Sequence, residues 1–304
     1  MIKIEVKQLA KIESILFSAQ FPIRLKKEQP VITYMPQGKA SDVYKVELPK
    51  NEVTYAVKVF NPEQWQAREI DIYEKYLIAS ALGTPKLIFA DKSEGILILS
   101  WINTNSKDID FDQLKNWLTD KYLHFKTLFE GQKIDIQKNI DWMFLNPISK
   151  IGKSVEFSNI EAIHVAFKNR NSIKNRLLDA YKLSLPIVLE HADLELQNII
   201  SSDNSIYVID WANAVKSLGF IDFAQFKKLL READKLGLYE RHEQKLSKLL
   251  NIKLGEFAQQ VSLFSVIREI QLLAYYQDND IDMEDPRFVS SVAILKDELR
   301  FLLI

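Results

Sequence analysis

Glycine scarcity is the feature of this sequence that most limits the folds open to it. The chain of 304 residues contains 8 glycines, less than half of the share of about 7% that is usual in proteins. No two of them stand at the spacing of a G-x-G-x-x-G or a G-x-x-x-x-G-K-[ST] loop. Rossmann-type dinucleotide sites and Walker-type phosphate sites are therefore excluded, and any bound phosphate must be held by another device.

Cysteine content and charge exclude further kinds of site. The chain has no cysteine, which excludes disulfides, thiolate zinc sites, iron–sulfur clusters and cysteine nucleophiles. Its 40 Lys and Arg balance 41 Asp and Glu, so we expect neither nucleic acid nor a membrane surface as a partner. Residues 1–13 do not have the pattern of a targeting segment, and no apolar window approaches the ~20 residues of a membrane helix. We expect a cytoplasmic protein, and the sequence predicts no particular oligomeric state.

The first hundred residues have the pattern of an antiparallel sheet with one helix. Runs rich in β-branched and aromatic residues, separated by turn residues, predict five strands. They cover 31–34, 42–48, 54–60, 87–90 and 95–102. Between the third and fourth strands, residues 62–82 carry apolar residues at helical spacing, with Gly83 just past the end.

After Asn103 the periodicity changes to 3.6 residues, which predicts a mainly helical part. The predicted helices lie around 111–129, 159–183, 220–236, 242–250 and 254–276. We therefore predict an α+β fold of two lobes, 1–102 and 103–304. Short strand-like runs at 187–189, 198–200 and 205–209 interrupt the helical part and flank acidic turns, which suggests a functional site there.

A lysine lies inside the third predicted strand, in the run Ala56-Val57-Lys58-Val59-Phe60. All its neighbours in that run are apolar, so its ammonium group must reach an anion or water at the end of the side chain. The alternative is an edge-strand lysine whose charge stays in solvent. The strand alone leaves both interpretations open.

Three further polar residues surround the strand-like runs. Asp193 and Asn198 lie five residues apart in one loop, and Asp210 follows a strand twelve residues later. Carboxylate and amide oxygens suit Mg²⁺, which binds one or two carboxylates and leaves its other positions to water and phosphate. Each residue alone is better explained by an Asx-capped turn. The ordered set of a strand lysine, a helix glutamate and these three residues favours a site.

At these residues the chain resembles the protein-kinase-like small-molecule kinases, which include aminoglycoside phosphotransferases and choline kinases. The run 191–198 resembles the family's His-Gly-Asp-Leu-x-x-x-Asn loop, and Ile209-Asp210-Trp211 resembles its metal motif. Ala56-Val57-Lys58 resembles the third-strand lysine motif, and Arg68-Glu69 resembles the helix glutamate that pairs with it. The resemblance covers about residues 30–225.

The resemblance implies a bilobal fold, with an N-terminal five-stranded antiparallel sheet and a mainly helical C-terminal lobe, and transfer of phosphate from ATP to a hydroxyl group. Lys58 would contact the α- and β-phosphates and be oriented by Glu69. Asn198 and Asp210 would hold Mg²⁺, and Asp193 would orient the acceptor hydroxyl. Asp222 would anchor the loop, while His191 would support it.

The resemblance also implies a nucleotide site in the N-terminal lobe. The turn between the first two strands, with Gly38, Lys39 and Ser41, would cover the phosphates. Adenine would stack on Val43, on Val57 or Ala56, and on Ile199 or Ile209. Its edge would bond to the backbone of Ser100 and Ile102.

Two positions depart from the family pattern, and one assignment has a rival. Ala192 replaces the family's loop glycine, and Glu195 stands where protein kinases carry lysine, which counts against a conventional Ser/Thr kinase. Glu195 either meets a cationic substrate or is solvated. Glu74 rivals Glu69 as the partner of Lys58.

The acceptor is predicted to be a small hydroxyl compound. The acidic run 275–285, with two tyrosines, suits an amine-rich or quaternary ammonium acceptor, and its alternative is a solvated loop. Two other functions compete with a small-molecule kinase: a nucleotide-binding pseudokinase and an atypical protein kinase.

Overall fold

The computed structural model describes residues 2–18, 21, 29–35, 41–60, 66–78, 82–104, 109–202 and 205–303. Its strands are β1 (Val31–Met35), β2 (Ser41–Leu48), β3 (Val53–Phe60), β4 (Leu87–Asp91), β5 (Ile96–Ser100), β6 (Val188–Glu190), β7 (Ile199–Ser202), β8 (Ser205–Val208) and β9 (Val215–Ser217). Its helices are α1 (Ile2–Leu16), α2 (Gln66–Ile72), α3 (Phe111–Leu128), α4 (Ile136–Ile140), α5 (Asn146–Ile151), α6 (Glu161–Lys168), α7 (Arg170–Lys182), α8 (Phe220–Glu232), α9 (Leu236–Leu250), α10 (Leu254–Asp278) and α11 (Pro286–Leu303).

The chain forms two compact units. Unit 1 comprises Met1–Trp117 and Leu196–Ala214, and unit 2 comprises Leu118–Glu195 and Val215–Ile304. The lobes at 1–102 and 103–304 stay a prediction, since these units are defined by packing and take in different stretches of chain. Within the described ranges, no helix is both long and apolar enough to cross a membrane.

Unit 1 contains the five-stranded antiparallel sheet that the sequence predicts. Its strand order is β1-β2-β3-β5-β4, so β3 is the central strand. The register places Lys58 of β3 opposite Val43 of β2 and Leu97 of β5. Lys58 is therefore not on an edge strand, and the interpretation as an edge lysine is wrong.

A second helix accompanies the sheet, and the prediction of one helix missed it. Ile12 and Leu16 of α1 join the buried cluster formed by Tyr44, Val46 and Val57 of the sheet. Alternating charged and aliphatic residues conceal the helical spacing of these apolar positions, which form one face of α1.

The hairpin of β7 and β8 packs in unit 1, although it lies about 80 residues beyond the rest of the unit. The Val208 N–H donates to the Gly83 carbonyl at 2.8 Å. The rings of Trp117 and Trp211 lie 6.3 Å apart. These contacts hold the segment that carries Asn198 and Asp210 against the part of the chain that carries the sheet.

Unit 2 is built around α10. Buried side chains are found all round this helix, as expected for one surrounded by protein, and it packs against α5, α8, α9 and α11. The rings of Phe220 and Phe264 lie 5.6 Å apart, and those of Phe220 and Phe257 are equally close. The sequence analysis did not predict the helical stretch 136–151, in which a π-helical turn, Asp141–Leu145, joins α4 to α5.

Gly83 is a glycine that the fold requires. Its φ of +32° lies outside the range comfortable for other residues, and a Cβ there would stand 2.1 Å from the Ile206 carbonyl oxygen. We expect Gly83→Ala to lower the free energy of unfolding in urea by about 1–3 kcal/mol, because backbone of β8 must move. Gly255→Ala is the control. A Cβ at Gly255 meets nothing within 4 Å, so stability should be unchanged or up to about 1 kcal/mol higher. Equal changes in the free energy of unfolding for the two variants would contradict a requirement for glycine at position 83.

Candidate active site

Lys58 forms a buried ion pair with Glu69 in unit 1. Its Nζ lies 2.9 Å from Glu69 Oε1 and 3.0 Å from Oε2. The same Nζ donates to Asp210 Oδ1 at 3.1 Å. The lysine side chain is 11% exposed and the Glu69 side chain is 1% exposed. The structure thus joins a central strand, helix α2 and the turn after β8 through one ammonium group.

Glu69, rather than its rival Glu74, is the partner of Lys58. The Trp211 N–H also donates to Glu69 Oε1 at 3.3 Å, which fixes the carboxylate from a second side. Glu74 pairs instead with Lys92, at 2.8 Å and partly exposed. The neighbouring Arg68 donates to the Ala214 carbonyl at 2.7 Å and so also ties α2 to the segment that carries Asp210.

Burial and charge compete at this cluster. Burial alone would lower the pKa of Lys58, but the carboxylates of Glu69 and Asp210 outweigh it and raise that pKa. Burial raises the pKa of Glu69 above its usual value, although Lys58 opposes the shift. Lys58 is therefore a permanent cation at physiological pH, held at a fixed point in an apolar sheet.

Asn198 and Asp210 lie at the same end of the β7–β8 hairpin. Ile199 pairs with Val208, and the Ile209 N–H donates to the Asn198 carbonyl at 2.9 Å. Asn198 is buried, whereas the Asp210 side chain is 47% exposed. Asp210 takes a left-handed backbone with φ +64°, a conformation that aspartate tolerates better than most residues.

This donor set fits Mg²⁺. Asp210 offers a carboxylate and Asn198 an amide oxygen at the same end of the hairpin. Mg²⁺ takes few such protein ligands before water and phosphate complete its shell. Among the described residues no group of three or more His, Asp or Glu side chains could hold a metal ion.

The loop that carries Asp193 lies in unit 2, and α10 supplies its charge partner. Arg268 Nη2 donates to Asp193 Oδ1 at 2.5 Å and lies 3.9 Å from Glu195 Oε1. Burial and the nearby Asp193 raise the pKa of Glu195 against the opposing effect of Arg268 and Lys228. The Asp193 N–H donates to His191 Nδ1 at 3.3 Å, so His191 supports the loop.

Asp222 anchors the same loop from α8. It is fully buried and accepts the N–H groups of His191 and Ala192, both at 2.8 Å, and the ammonium of Lys121. Burial would raise the pKa of Asp222, but Lys121, His191 and these hydrogen bonds lower it overall. Ala192, which replaces the family's glycine, has φ +60°. The loop therefore holds an alanine in the region that favours glycine.

The predicted nucleotide-binding residues are only partly within the described ranges. Gly38 and Lys39 lie outside them. Ser41 and Val43 lie on β2, with Val43 directly opposite Lys58. The Ser100 N–H donates to the Lys86 carbonyl at 2.8 Å, and the Lys86 N–H returns a bond to Ser100 Oγ at 2.8 Å.

Ile102 follows β5 by two residues and is half-buried. Its backbone belongs to no strand or helix. Val43, Ser100 and Ile102 therefore keep the positions that the sequence analysis assigned to them in unit 1, and their contact with adenine stays a prediction.

The acidic run 275–285 has two of its five carboxylates in ion pairs within unit 2. Asp278 pairs with Lys150, and Asp285 pairs with Arg287 at 2.7 Å. The Glu284 N–H donates to Asp282 Oδ1 at 2.9 Å, which is an Asx turn. These contacts favour the interpretation of the run as a solvated loop.

No protein-family model matches the sequence, and no curated protein matches it. Solved structures do match. Choline kinase LicA from Streptococcus pneumoniae has a TM-score of 0.63 at 16% identity, over 97% of this chain and 99% of that one. Plasmodium vivax ethanolamine kinase has a TM-score of 0.56 at 14% identity, over 90% and 83%. The streptomycin–ATP ternary complex of APH(2")-IIa has a TM-score of 0.55 at 17% identity, over 96% and 98%.

The chain has a bilobal, protein-kinase-like fold. This confirms the resemblance to the small-molecule kinases at the level of fold. The structure brings three residues of the sequence motifs together in one cluster: Lys58, Glu69 and Asp210. The motifs did not indicate Arg268 or Lys121. Neither residue belongs to a motif, and each lies at least 70 residues from its partner in the chain.

We expect Glu69→Gln to destabilise the protein. It leaves the buried Lys58 ammonium with one carboxylate, and removal of one partner from a buried pair costs about 3–5 kcal/mol when nothing else compensates. Since Asp210 remains and glutamine still accepts a hydrogen bond, a loss of about 1–3 kcal/mol is expected in urea unfolding. Glu74→Gln, at the exposed pair with Lys92, should lose less than about 1 kcal/mol. Similar losses of stability in Glu69→Gln and Glu74→Gln would show that the buried pair contributes no more to stability than the exposed pair.

Glu190 provides a test by pH. It is fully buried, its Oε1 has no hydrogen-bond partner among the described residues, and its pKa is raised to about 7 by burial and by Asp222. The folded state holds this proton more tightly than the unfolded state does. The stabilising contribution of protonated Glu190 is therefore fully present below about pH 4.5 and is lost as the pH rises through about 7.

We expect Glu190→Gln, which stays neutral, to gain about 1–3 kcal/mol relative to wild type between pH 5 and pH 8. Urea unfolding at both pH values measures the gain. The matched change Glu284→Gln, at an exposed position, should keep the wild-type trend. A difference between Glu190→Gln and wild type that does not grow with pH would rule out a buried neutral Glu190.

Proposed function

We propose that the protein is an ATP-dependent, Mg²⁺-requiring phosphotransferase that moves the γ-phosphate of ATP to a hydroxyl group of a small molecule. The observation that carries the proposal is the buried contact of Lys58 with Glu69 and Asp210. Phosphoryl transfer depends on positioning and charge neutralisation more than on covalent chemistry by the protein. A fixed cation beside a metal-binding carboxylate is the arrangement that this reaction needs.

The residues of unit 1 would bind the nucleotide. Lys58 would contact the α- and β-phosphates while Glu69 keeps its ammonium group in place. Adenine would stack on Val43 and bond to the backbone of Ser100 and Ile102. The turn with Gly38, Lys39 and Ser41 would cover the phosphates. Asn198 and Asp210 would hold Mg²⁺, which neutralises charge on the phosphate oxygens when bound.

Asp193 in unit 2 would act on the acceptor. Its carboxylate would accept the proton of the acceptor hydroxyl as the hydroxyl oxygen attacks the γ-phosphorus in line. The bond from that phosphorus to the bridging oxygen breaks, and ADP leaves with the electron pair. Asp222 supports this step because its carboxylate holds the backbone of the loop. That carboxylate takes no part in the proton transfer or the phosphate transfer.

The fold comparison and the site support a proposal for the acceptor class. Solved structures with this fold include choline and ethanolamine kinases and aminoglycoside phosphotransferases. We therefore propose an aminoglycoside-, choline- or sugar-like hydroxyl compound. Glu195, whose side chain is 37% exposed, is the carboxylate beside Asp193 that would meet an ammonium group on the acceptor.

We expect Asp193→Asn and Asp210→Asn each to lower Mg²⁺-dependent ATP turnover by about 100-fold or more, because one removes the base and the other a metal ligand. Circular dichroism and thermal unfolding check that both variants fold. Asp179→Asn, at an exposed carboxylate paired with Lys182, is the control and should keep wild-type turnover. Unchanged turnover in either site variant would refute the proposal.

A panel of aminoglycosides, choline, ethanolamine, sugars and amino alcohols with γ-labelled ATP identifies the acceptor. Label on a small molecule, lost with a chelator, supports the proposal. Label on protein instead indicates an atypical protein kinase. Tight ATP binding with no transfer to any acceptor indicates a pseudokinase.

A further inference from the structure

We propose that Arg268 is a positioning residue for the proposed reaction, which fixes the carboxylate of Asp193 and offsets the combined charge of Asp193 and Glu195. The inference rests on the proposed function and adds a residue to it. Arg268 lies on α10, 75 residues after Asp193, and no motif of the sequence indicates it.

The geometry is that of a charge-assisted bond in a shielded place. Arg268 Nη2 donates to Asp193 Oδ1 at 2.5 Å, and the arginine is 9% exposed. Hydrogen bonds between ionised groups are about twice as strong as those between neutral groups. Because α10 is the central helix of unit 2, its arginine holds the Asp193 side chain from a rigid element rather than from a loop.

The loop that carries Asp193 has negative charge that no lysine or arginine within the loop compensates. Residues 191–198 contain two carboxylates, Asp193 and Glu195, and no lysine or arginine. Glu195 stands where protein kinases carry the lysine that contacts the transferred phosphate. The positive charge near Asp193 must therefore come from another element, and α10 supplies it.

Other charged groups also face this pair. Lys228 and Glu232 act on Glu195 from α8, and His191 contacts the Asp193 N–H from within the loop. Tyr276 at the end of α10 and Arg287 of α11 also interact with Glu195. Arg268 is the cation that contacts Asp193 directly and lies within 4 Å of Glu195.

The arginine makes this contact at a cost to its own hydrogen bonding. Its Nε is buried without a hydrogen-bond partner among the described residues. A buried donor left without a partner is unfavourable for folding.

The test compares Arg268→Gln, which removes the charge, with Arg268→Lys, which keeps it. Arg231→Gln is the matched control, since Arg231 on α8 pairs with Asp297 and Glu298, away from the loop. Three quantities are measured. The first two are kcat and KM for ATP at several pH values. The third is the titration of Glu195 by ¹³C NMR, with the signal assigned through Glu195→Gln.

We expect Arg268→Gln to lower kcat by about 10- to 100-fold with little change in KM, since a misplaced catalytic group costs that much. The acidic limb of its rate profile should move to higher pH. The pKa of Glu195 should rise further, because repulsion by Asp193 is no longer offset. Arg268→Lys should recover most of kcat, and Arg231→Gln should match wild type in every respect.

Three results would overturn the inference: an Arg268→Gln variant with wild-type kcat and Glu195 titration, an equal loss in Arg231→Gln, or a higher kcat in Arg268→Gln, which would make Arg268 an inhibitor. Absence of ATP turnover in the wild type itself would refute the proposed function and this inference with it. A wild type that turns over ATP, with Arg268→Gln unaffected, would refute this inference alone.

Discussion

Burial of the Lys58 ammonium on the central strand carries a desolvation cost that only fixed anions can offset. Glu69 supplies one anion from α2, and Asp210 supplies another from the turn after β8. Because an uncompensated charge in this place would be costly, the strand, the helix and the hairpin must all take their positions together. The contacts that shape the candidate phosphate site therefore also contribute to the stability of unit 1.

Unit 2 also contains a buried charge that its neighbours compensate, but here the buried group is an anion. Asp222 is a buried anion, compensated by Lys121 and by two backbone N–H groups of the loop that carries Asp193. Those bonds hold Ala192 in a backbone region where alanine is strained. Arg268 then controls the side chain of Asp193 from a different helix. The loop backbone and the loop side chain are fixed by separate elements, so each can be perturbed without the other.

The sequence predicted the features that depend on local patterns. The five strands could be inferred from alternation within short stretches. The pairing of Lys58 with Glu69 and the anchoring by Asp222 were implied by the resemblance to the small-molecule kinases, which rests on short motifs. Helix α1 was missed because its charged residues hide the apolar face. The contact of Arg268 with Asp193 and the burial of Glu190 could not be predicted, since they depend on contacts between residues far apart in the chain. The turn with Gly38 and Lys39 and its role toward phosphate stay predictions.

The membership of residues 196–214 in unit 1 has a consequence for synthesis of the protein on the ribosome. When the first 117 residues have emerged, the Val208 donor for Gly83, the ring beside Trp117 and the second carboxylate for Lys58 have not yet been translated. Unit 1 cannot be completed until the chain has passed through a large part of unit 2. Such long-range closure slows folding and exposes apolar surface in the meantime. Nascent chains of this protein therefore have reason to depend on chaperones until translation has passed residue 214.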